Sequence, residues 1–199
     1  TYNSEVEHEF DTTESGPLVD PDGAGPLPAL PLLTGTSMTK VKTPESWNLE
    51  FQTGIAPDTL LFGSVRWVDW SEFEIRPTDY DTLTGTLAGG PGVALVSYKD
   101  DTITYNLGVG RRFTENWAGS VSVGYEPANS NFASNLGPTN GNWSVGLGAA
   151  YTKGMYEISG GVRYVQIGKA ETEVGPFSPA TSFDDNHAIG VGMKFAVNF

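Results

Sequence analysis

Bulky and small residues alternate with period two along most of the chain from Ser46 to Phe199. In one run Trp117, Gly119, Val121, Val123 and Tyr125 fall on one side, and Ala118, Ser120, Ser122, Gly124 and Glu126 on the other. The next run repeats it, with Trp143, Val145, Leu147, Ala149 and Tyr151 against Ser144, Gly146, Gly148, Ala150 and Thr152. The last has Ile189, Val191, Met193, Phe195, Val197 and Phe199 against Gly190, Gly192, Lys194, Ala196 and Asn198. Helical periodicity is almost absent. Alternation of this kind predicts strands with two unlike faces. Eight are expected, at about 2–11, 38–54, 59–76, 101–113, 117–126, 142–152, 155–168 and 186–199.

Connections alternate in length. Short ones sit at Ala56-Pro57-Asp58, Thr114-Glu115-Asn116 and Lys153-Gly154. Long ones cover roughly 12–37, 77–100, 127–141 and 169–185. A meander with short turns at one end and long loops at the other is the pattern of a transmembrane β-barrel: all-β, antiparallel, up-and-down. Alternation does not say which face is outside, but the polar face does. A soluble barrel covers its outer face with charges. Here that face is mostly Gly, Ser, Ala, Thr and Asn, which suits a lumen. The charges on it are sparse and of both signs: Glu50, Arg66, Glu72, Glu74, Arg112, Glu126, Glu157, Arg163 and Lys194. On the apolar face Trp47, Trp67, Trp117, Tyr125, Trp143, Tyr151, Tyr156 and Tyr164 sit near strand ends, where amphipathic rings form headgroup-level girdles. The competing assignment makes these aromatics ordinary core residues of a soluble β protein.

Composition narrows the choice. Lys plus Arg is 11 and Asp plus Glu is 24, for a net charge of −13, which excludes binding of nucleic acid by phosphate neutralisation. Charged residues are 18% of the chain, against a usual value of about 25%. There are no cysteines, so Cys-bound zinc and thiol chemistry are excluded, and two histidines do not make a three-His zinc site. No stretch approaches the roughly 18 apolar residues of a transmembrane helix. Thr1 opens in what reads as the middle of a strand with no signal peptide, as expected of a processed form or a fragment. The ending Met193-Lys194-Phe195-Ala196-Val197-Asn198-Phe199 is similar to the C-terminal signal by which bacterial outer-membrane barrels are recognised for assembly.

The segment Thr43-Pro44-Glu45-Ser46-Trp47-Asn48-Leu49, the Pro57-Asp58 turn and the stretch Leu61 to Phe73, with Trp67-Val68-Asp69-Trp70-Ser71-Glu72-Phe73 at its end, resemble the FadL/TodX family of outer-membrane transporters for long-chain fatty acids and other hydrophobic compounds. Tyr2-Asn3-Ser4-Glu5-Val6-Glu7-His8 is similar to that family's Tyr-Arg-Ser-Glu-Val-x-His strand, with Asn3 at the Arg place. The Trp-x-x-Trp-Ser-x-Phe stretch is its most specific part. The resemblance implies the last eight strands of a fourteen-stranded barrel, without the N-terminal hatch and first strands. It implies passive transport of hydrophobic small molecules across the outer membrane of a Gram-negative bacterium, with no cofactor. Implied partners are membrane lipid and lipopolysaccharide, a hydrophobic ligand, and the assembly machinery acting on Phe199. The alternative is a small structural or adhesion barrel without transport, closed on itself, its lumen filled by pairs such as Arg163 with Glu157 or Arg66 with Glu72.

Other candidate chemistry is thinner. Leu27, Leu30, Leu32 and Leu33 lie in a Pro-stiffened apolar loop that suits ligand capture, or packing over the barrel mouth. Acidic residues cluster in the long loops, as in bridging of divalent cations to lipopolysaccharide or simply a solvated surface. Asp20-Pro21-Asp22-Gly23 has part of a calcium loop but lacks its distal Glu. Ser182, Asp184 or Asp185, and His187 lie close in sequence, but no oxyanion motif or nucleophile elbow accompanies them.

Overall fold

The structure is a computed structural model in which residues 1–16, 33–134, 136–174 and 177–197 are described. Its elements in chain order are β1 (Tyr2–Asn3), β2 (Val6–Gly16), β3 (Leu33–Thr43), β4 (Ser46–Ala56), β5 (Thr59–Val68), β6 (Glu74–Ile75), α1 (Thr78–Ala88), β7 (Val96–Ser97), β8 (Thr102–Arg112), β9 (Trp117–Glu126), β10 (Asn142–Lys153), β11 (Tyr156–Ile167), β12 (Ala170–Val174), β13 (Phe177–Phe183) and β14 (His187–Val197). One antiparallel sheet runs β1-β4-β5-β8-β9-β10-β11-β14, each long strand beside its sequence neighbour in the sheet. Apart from the two-residue β1, its strands are 10 to 12 residues long. A strand crossing hydrocarbon needs about 9–11 residues. The fold class expected from alternation is thus the one observed: an all-β, up-and-down sheet of barrel type.

Register puts most bulky residues on one face; Leu60 and Phe62 of β5, beside Gly110 and Gly108, are on the other. On the first face Trp47, Trp67 and Ile103 lie side by side, as do Leu107, Val123 and Val145 with its neighbour Tyr164. This face is uncovered: Leu49 is 71% exposed, Val191 82% and Met193 86%. Aromatic rings bound it at both ends. Tyr2 packs on Trp47 and Trp143 on Tyr164 at one level, with centroids 4.6 and 5.6 Å apart. Trp117 packs on Tyr151 at the other, 4.9 Å apart. Trp143 and Tyr151 are separated by about 27 Å along β10, and by less once the strand tilts, against an apolar band of roughly 25 Å in membrane barrels. The opposite face carries the small residues and is concave. A cavity of about 910 Å³ on it is lined jointly by residues of β4, β5, β8, β9, β10, β11 and β14.

Three strands differ from expectation. The one expected over 2–11 is split into β1 and β2, which belong to different sheets, and β2 runs on to Gly16 into the loop expected over 12–37. The strand expected over 38–54 is broken by Pro44 into β3 and β4, because proline supplies no ladder N–H. Beyond that break β2 and β3 pair alone, from Val6↔Thr43 to Gly16↔Leu33, as an arm projecting past the upper aromatic level. The strand expected over 59–76 ends at Val68. Glu72 and Glu74 therefore leave the concave face: Glu72 lies in a turn, and Glu74 in the short β6. The long loops expected over 77–100 and 169–185 also hold structure, α1 with β6–β7 in the first and β12–β13 in the second.

The short turns follow their residues. Pro57 leads and Asp58 takes φ +57° between Ala56 and Thr59, as a type II turn requires. Gly154, at φ +59°, opens the two-residue turn between Lys153 and Tyr156, which are paired. Gly154→Ala forces a side chain into the left-handed region and is expected to cost about 1–2 kcal/mol, read by urea unfolding of the two proteins in detergent.

Candidate functional site: the concave face and its rim

A polar row crosses the concave face one residue below the aromatic level of Trp143 and Tyr164. Ser64, Asn106, Gly124 and Ser144 lie side by side on β5, β8, β9 and β10. Arg163 reaches across from β11. Its Nε donates to Ser144 Oγ at 3.1 Å, and its Nη2 to the same oxygen at 2.9 Å and to Asn106 Oδ1 at 2.9 Å. Asn106 in turn donates to Ser64 Oγ at 3.3 Å. The guanidinium passes over β9 because position 124 is glycine: a Cβ there would meet Ser144 Oγ at 2.5 Å and Arg163 Nη2 at 2.6 Å. Beside this row Thr104 Oγ1 donates to Glu126 Oε2 at 2.7 Å, and Asn48 Nδ2 to Glu50 Oε1 at 2.6 Å.

Arg163, Glu126 and Glu50 are thus held by neutral partners rather than by each other. Among the described residues no carboxylate lies within 4.0 Å of Arg66, Arg163 or Lys194. Arg112 approaches Asp58 at 3.9 Å near the short turns. Neither expected lumen pair forms: Arg163 bonds Ser144 and Asn106, not Glu157, and Glu72 bonds Lys42 Nζ at 2.6 Å, not Arg66. Glu74 pairs with Arg76 at 3.1 Å. Glu157, across from Ala196 and Thr152 in register, is on the concave side near the short turns.

The rim at the long-loop end is built by the Trp-x-x-Trp-Ser-x-Phe stretch. Trp67 Nε1 donates to Asp101 Oδ2 at 3.0 Å, and Trp70 Nε1 to Thr102 Oγ1 at 3.1 Å, so the two indoles tie the end of β5 to the start of β8. Phe73 meets Trp70 edge-on with centroids 5.4 Å apart, and Tyr98 packs on both. Lys42 bridges Glu72 of this stretch to Glu5, and Lys40 pairs with Glu7 and Glu9 along the arm. Bonding to Glu7 and Glu9 pushes the Lys40 ammonium above its usual range, and the same contact holds Glu7 below the usual carboxylate range. The arm also caps α1. Glu14 accepts the backbone N–H of Asp79 at 3.1 Å and of Tyr80 at 2.7 Å, two of the donors a helix start leaves unpaired.

The remaining candidates do not converge. Leu27, Leu30, Leu32, Asp20, Asp22 and Phe199 lie outside the described residues, and Leu33 opens β3 opposite Gly16. No hydrogen bond joins Ser182 to His187; Ser182 pairs in register with Glu171, and His187 stacks on Tyr164 at 5.9 Å. Among the described residues no group of three or more His, Asp or Glu is arranged to hold a metal ion. No helix among them is long and apolar enough to cross a membrane, which says nothing of strands.

This architecture has a counterpart among solved structures. The chain superposes on a FadL homologue of Pseudomonas aeruginosa with a TM-score of 0.64 over 98% of its length. The fold is FadL-like. Identity in that comparison is 16%, and the chain spans 46% of that protein's chain. The sequence matches no family model and no curated protein.

Two outcomes follow from the geometry. Gly124→Ala displaces Arg163 from its bonds to Ser144 and Asn106, and overpacking of this kind costs about 1–3 kcal/mol, measured by urea unfolding. At the rim, burial and then the Asp69 carboxylate push Asp101 above the usual carboxylate range, while the Trp67 bond opposes them. Stability from Asp101 is therefore present at acid pH and is lost as pH rises through that raised value. Asp101→Asn keeps an acceptor for Trp67, so its stability gain over the parent grows as pH rises and vanishes toward acid pH in unfolding curves taken across that range.

Proposed function

We propose that the chain forms part of the wall of a bacterial outer-membrane barrel that lets hydrophobic small molecules, long-chain fatty acids among them, pass without chemical change. The observation that carries this reading is the division of faces: exposed aliphatics between two aromatic levels outside, and small polar residues around a cavity of about 910 Å³ inside. Aliphatics at this exposure are costly in water and natural in lipid. The FadL-like fold supports the same assignment. The loop-rich end then faces outward, where its carboxylates meet lipopolysaccharide, and the short turns face the periplasm.

The structural-barrel alternative expects a lumen closed by ion pairs, and the lack, among the described residues, of a carboxylate within 4.0 Å of Arg66, Arg163 or Lys194 speaks for open passage. The separation of Ser182 from His187 removes the geometry a loop-borne hydrolase needs.

Leu147 tests the lipid-facing assignment, since Val121 and Val162 flank it near the middle of the outer face. Leu147→Arg is expected to cost about 2–4 kcal/mol in phosphatidylcholine vesicles. A chain that stays folded and dispersed in buffer without detergent defeats the reading. Transport is checked by entry of labelled oleate into vesicles holding the chain, compared with empty vesicles.

A further inference from the structure

We infer that the outer edge of β2 is a docking strand for an extended cationic peptide, one that alternates Lys or Arg with apolar residues and adds to the arm as a third strand. The first observation is an unused ladder. β2 and β3 form a two-stranded sheet of their own, and among the described residues no third strand is paired with either. Helix α1 and β6 contact β3, and every residue of β2 from Val6 to Asp11 is exposed. In an antiparallel pair alternate residues turn their N–H and C=O groups away from the partner. The 11 residues of β2 therefore offer a row of donors and acceptors at the spacing an added strand needs.

The second observation is the contrast between the two faces at that edge. Glu7, Glu9 and Asp11 line one face, and Val6, His8 and Phe10 the other, with Val6 46% and Phe10 53% exposed. On the acidic face two ammonium groups serve four carboxylates. Lys40 meets Glu7 at 2.9 Å and Glu9 at 3.0 Å, and Lys42 meets Glu72 at 2.6 Å and Glu5 at 3.3 Å. Asp11 has no cation within 4.0 Å among the described residues, so an excess of three negative charges remains. Charge and register then choose the occupant. A second copy of the arm, laid antiparallel about Glu9, would set Glu9 against Glu9 and Glu7 of each chain against Asp11 of the other. Like charges directly opposite destabilise a strand pair, and edge charges of one sign keep such strands apart. A strand with Lys or Arg at every second place instead sets its cations over Glu7, Glu9 and Asp11 and its apolar residues beside Val6 and Phe10, so both faces continue across the new pair.

The whole chain in dodecyl maltoside micelles at low ionic strength, titrated against a fluorescent Lys-Val-Lys-Tyr-Lys-Val-Lys peptide and read by anisotropy against empty micelles, tests this. Two control peptides keep its charge: one gathers the lysines into a block, the other is N-methylated at each backbone nitrogen and has no ladder donors. The parent is expected to bind the alternating peptide about tenfold more tightly than the methylated one, and the amides of β2 to exchange hydrogen more slowly with it bound. Removing three carboxylates in E7Q/E9Q/D11N weakens binding about tenfold. K40Q, which leaves Glu7 and Glu9 without their shared cation, strengthens it about threefold. No binding by the parent, equal binding of the three peptides, or undiminished affinity in the folded triple variant overturns the assignment. So does a parent that sediments as a dimer with β2 already protected, which places a second copy on that edge. Should the triple variant fail to fold, K40Q decides: tighter binding supports the docking strand, and unchanged or weaker binding overturns it.

Discussion

Curvature of the sheet depends on how much side-chain volume stands between neighbouring strands on each face. On β8, β9 and β10 the concave side offers Gly108, Gly110, Ser120, Ser122, Gly146 and Gly148, while the convex side offers Leu107, Val109, Val121, Val123, Val145 and Leu147. Strands close up where volume is small and splay where it is large, so the difference bends the sheet toward the small residues. Individual rings use the same space. Phe62 points inward and fills the room that a Cβ of Gly108 would need, and Phe51 covers Gly63 on the outside. The division of faces is therefore both the cause of the curve and the source of two unlike sides, one apolar and one polar. Loss of small residues on the concave side would flatten the wall before it removed any site.

The same sheet leaves backbone unpaired at its margins. Thr1 exchanges hydrogen bonds with Asn48; among the described residues, β4 beyond that pair has β5 alone beside it, and β14 has β11 alone. Unpaired backbone groups in hydrocarbon cost several kcal/mol each. In a membrane these margins have to be met by other strands, whether from the same polypeptide or another, and the outward side chains of β14 fit that requirement, since they would lie in lipid once its edge is covered. At the loop-rich end the problem is solved differently. The arm, α1 and the Trp67–Phe73 stretch satisfy their polar groups with one another through Glu14, Lys42 and Asp101, so these loops behave as structured elements rather than coil.

Strand existence and facing were legible because period two is a strong signal: β8 to β11 and β14 fall within a residue or two of their expected ranges. What escaped reading was set by single residues or by distant ones. Pro44 ended a strand that the alternation alone carried onward. The helix α1 had local signs, acidic Asp79 and Asp81 in its first turn and Gly89 in the left-handed conformation after its last. Its N-terminal cap, however, comes from Glu14, more than sixty residues away, and no local pattern announces that. Parity assigned Arg163 to the small-residue face, and it assigned Glu72 and Glu74 there too, although both lie beyond the end of β5. Parity cannot tell that Gly124, two strands over on β9, clears the path that takes the guanidinium to Asn106.

That path changes what the charge does. An arginine paired to Glu157 would have closed the lumen as a neutral plug, with a desolvation cost set against Coulombic gain. An arginine held by a serine and an amide keeps its charge while giving up its mobility. The same economy holds at Glu50 and Glu126, each fixed by a neutral donor from its own or the neighbouring strand. Fixed but uncancelled charges of both signs make a face that remains wetted and ordered at once.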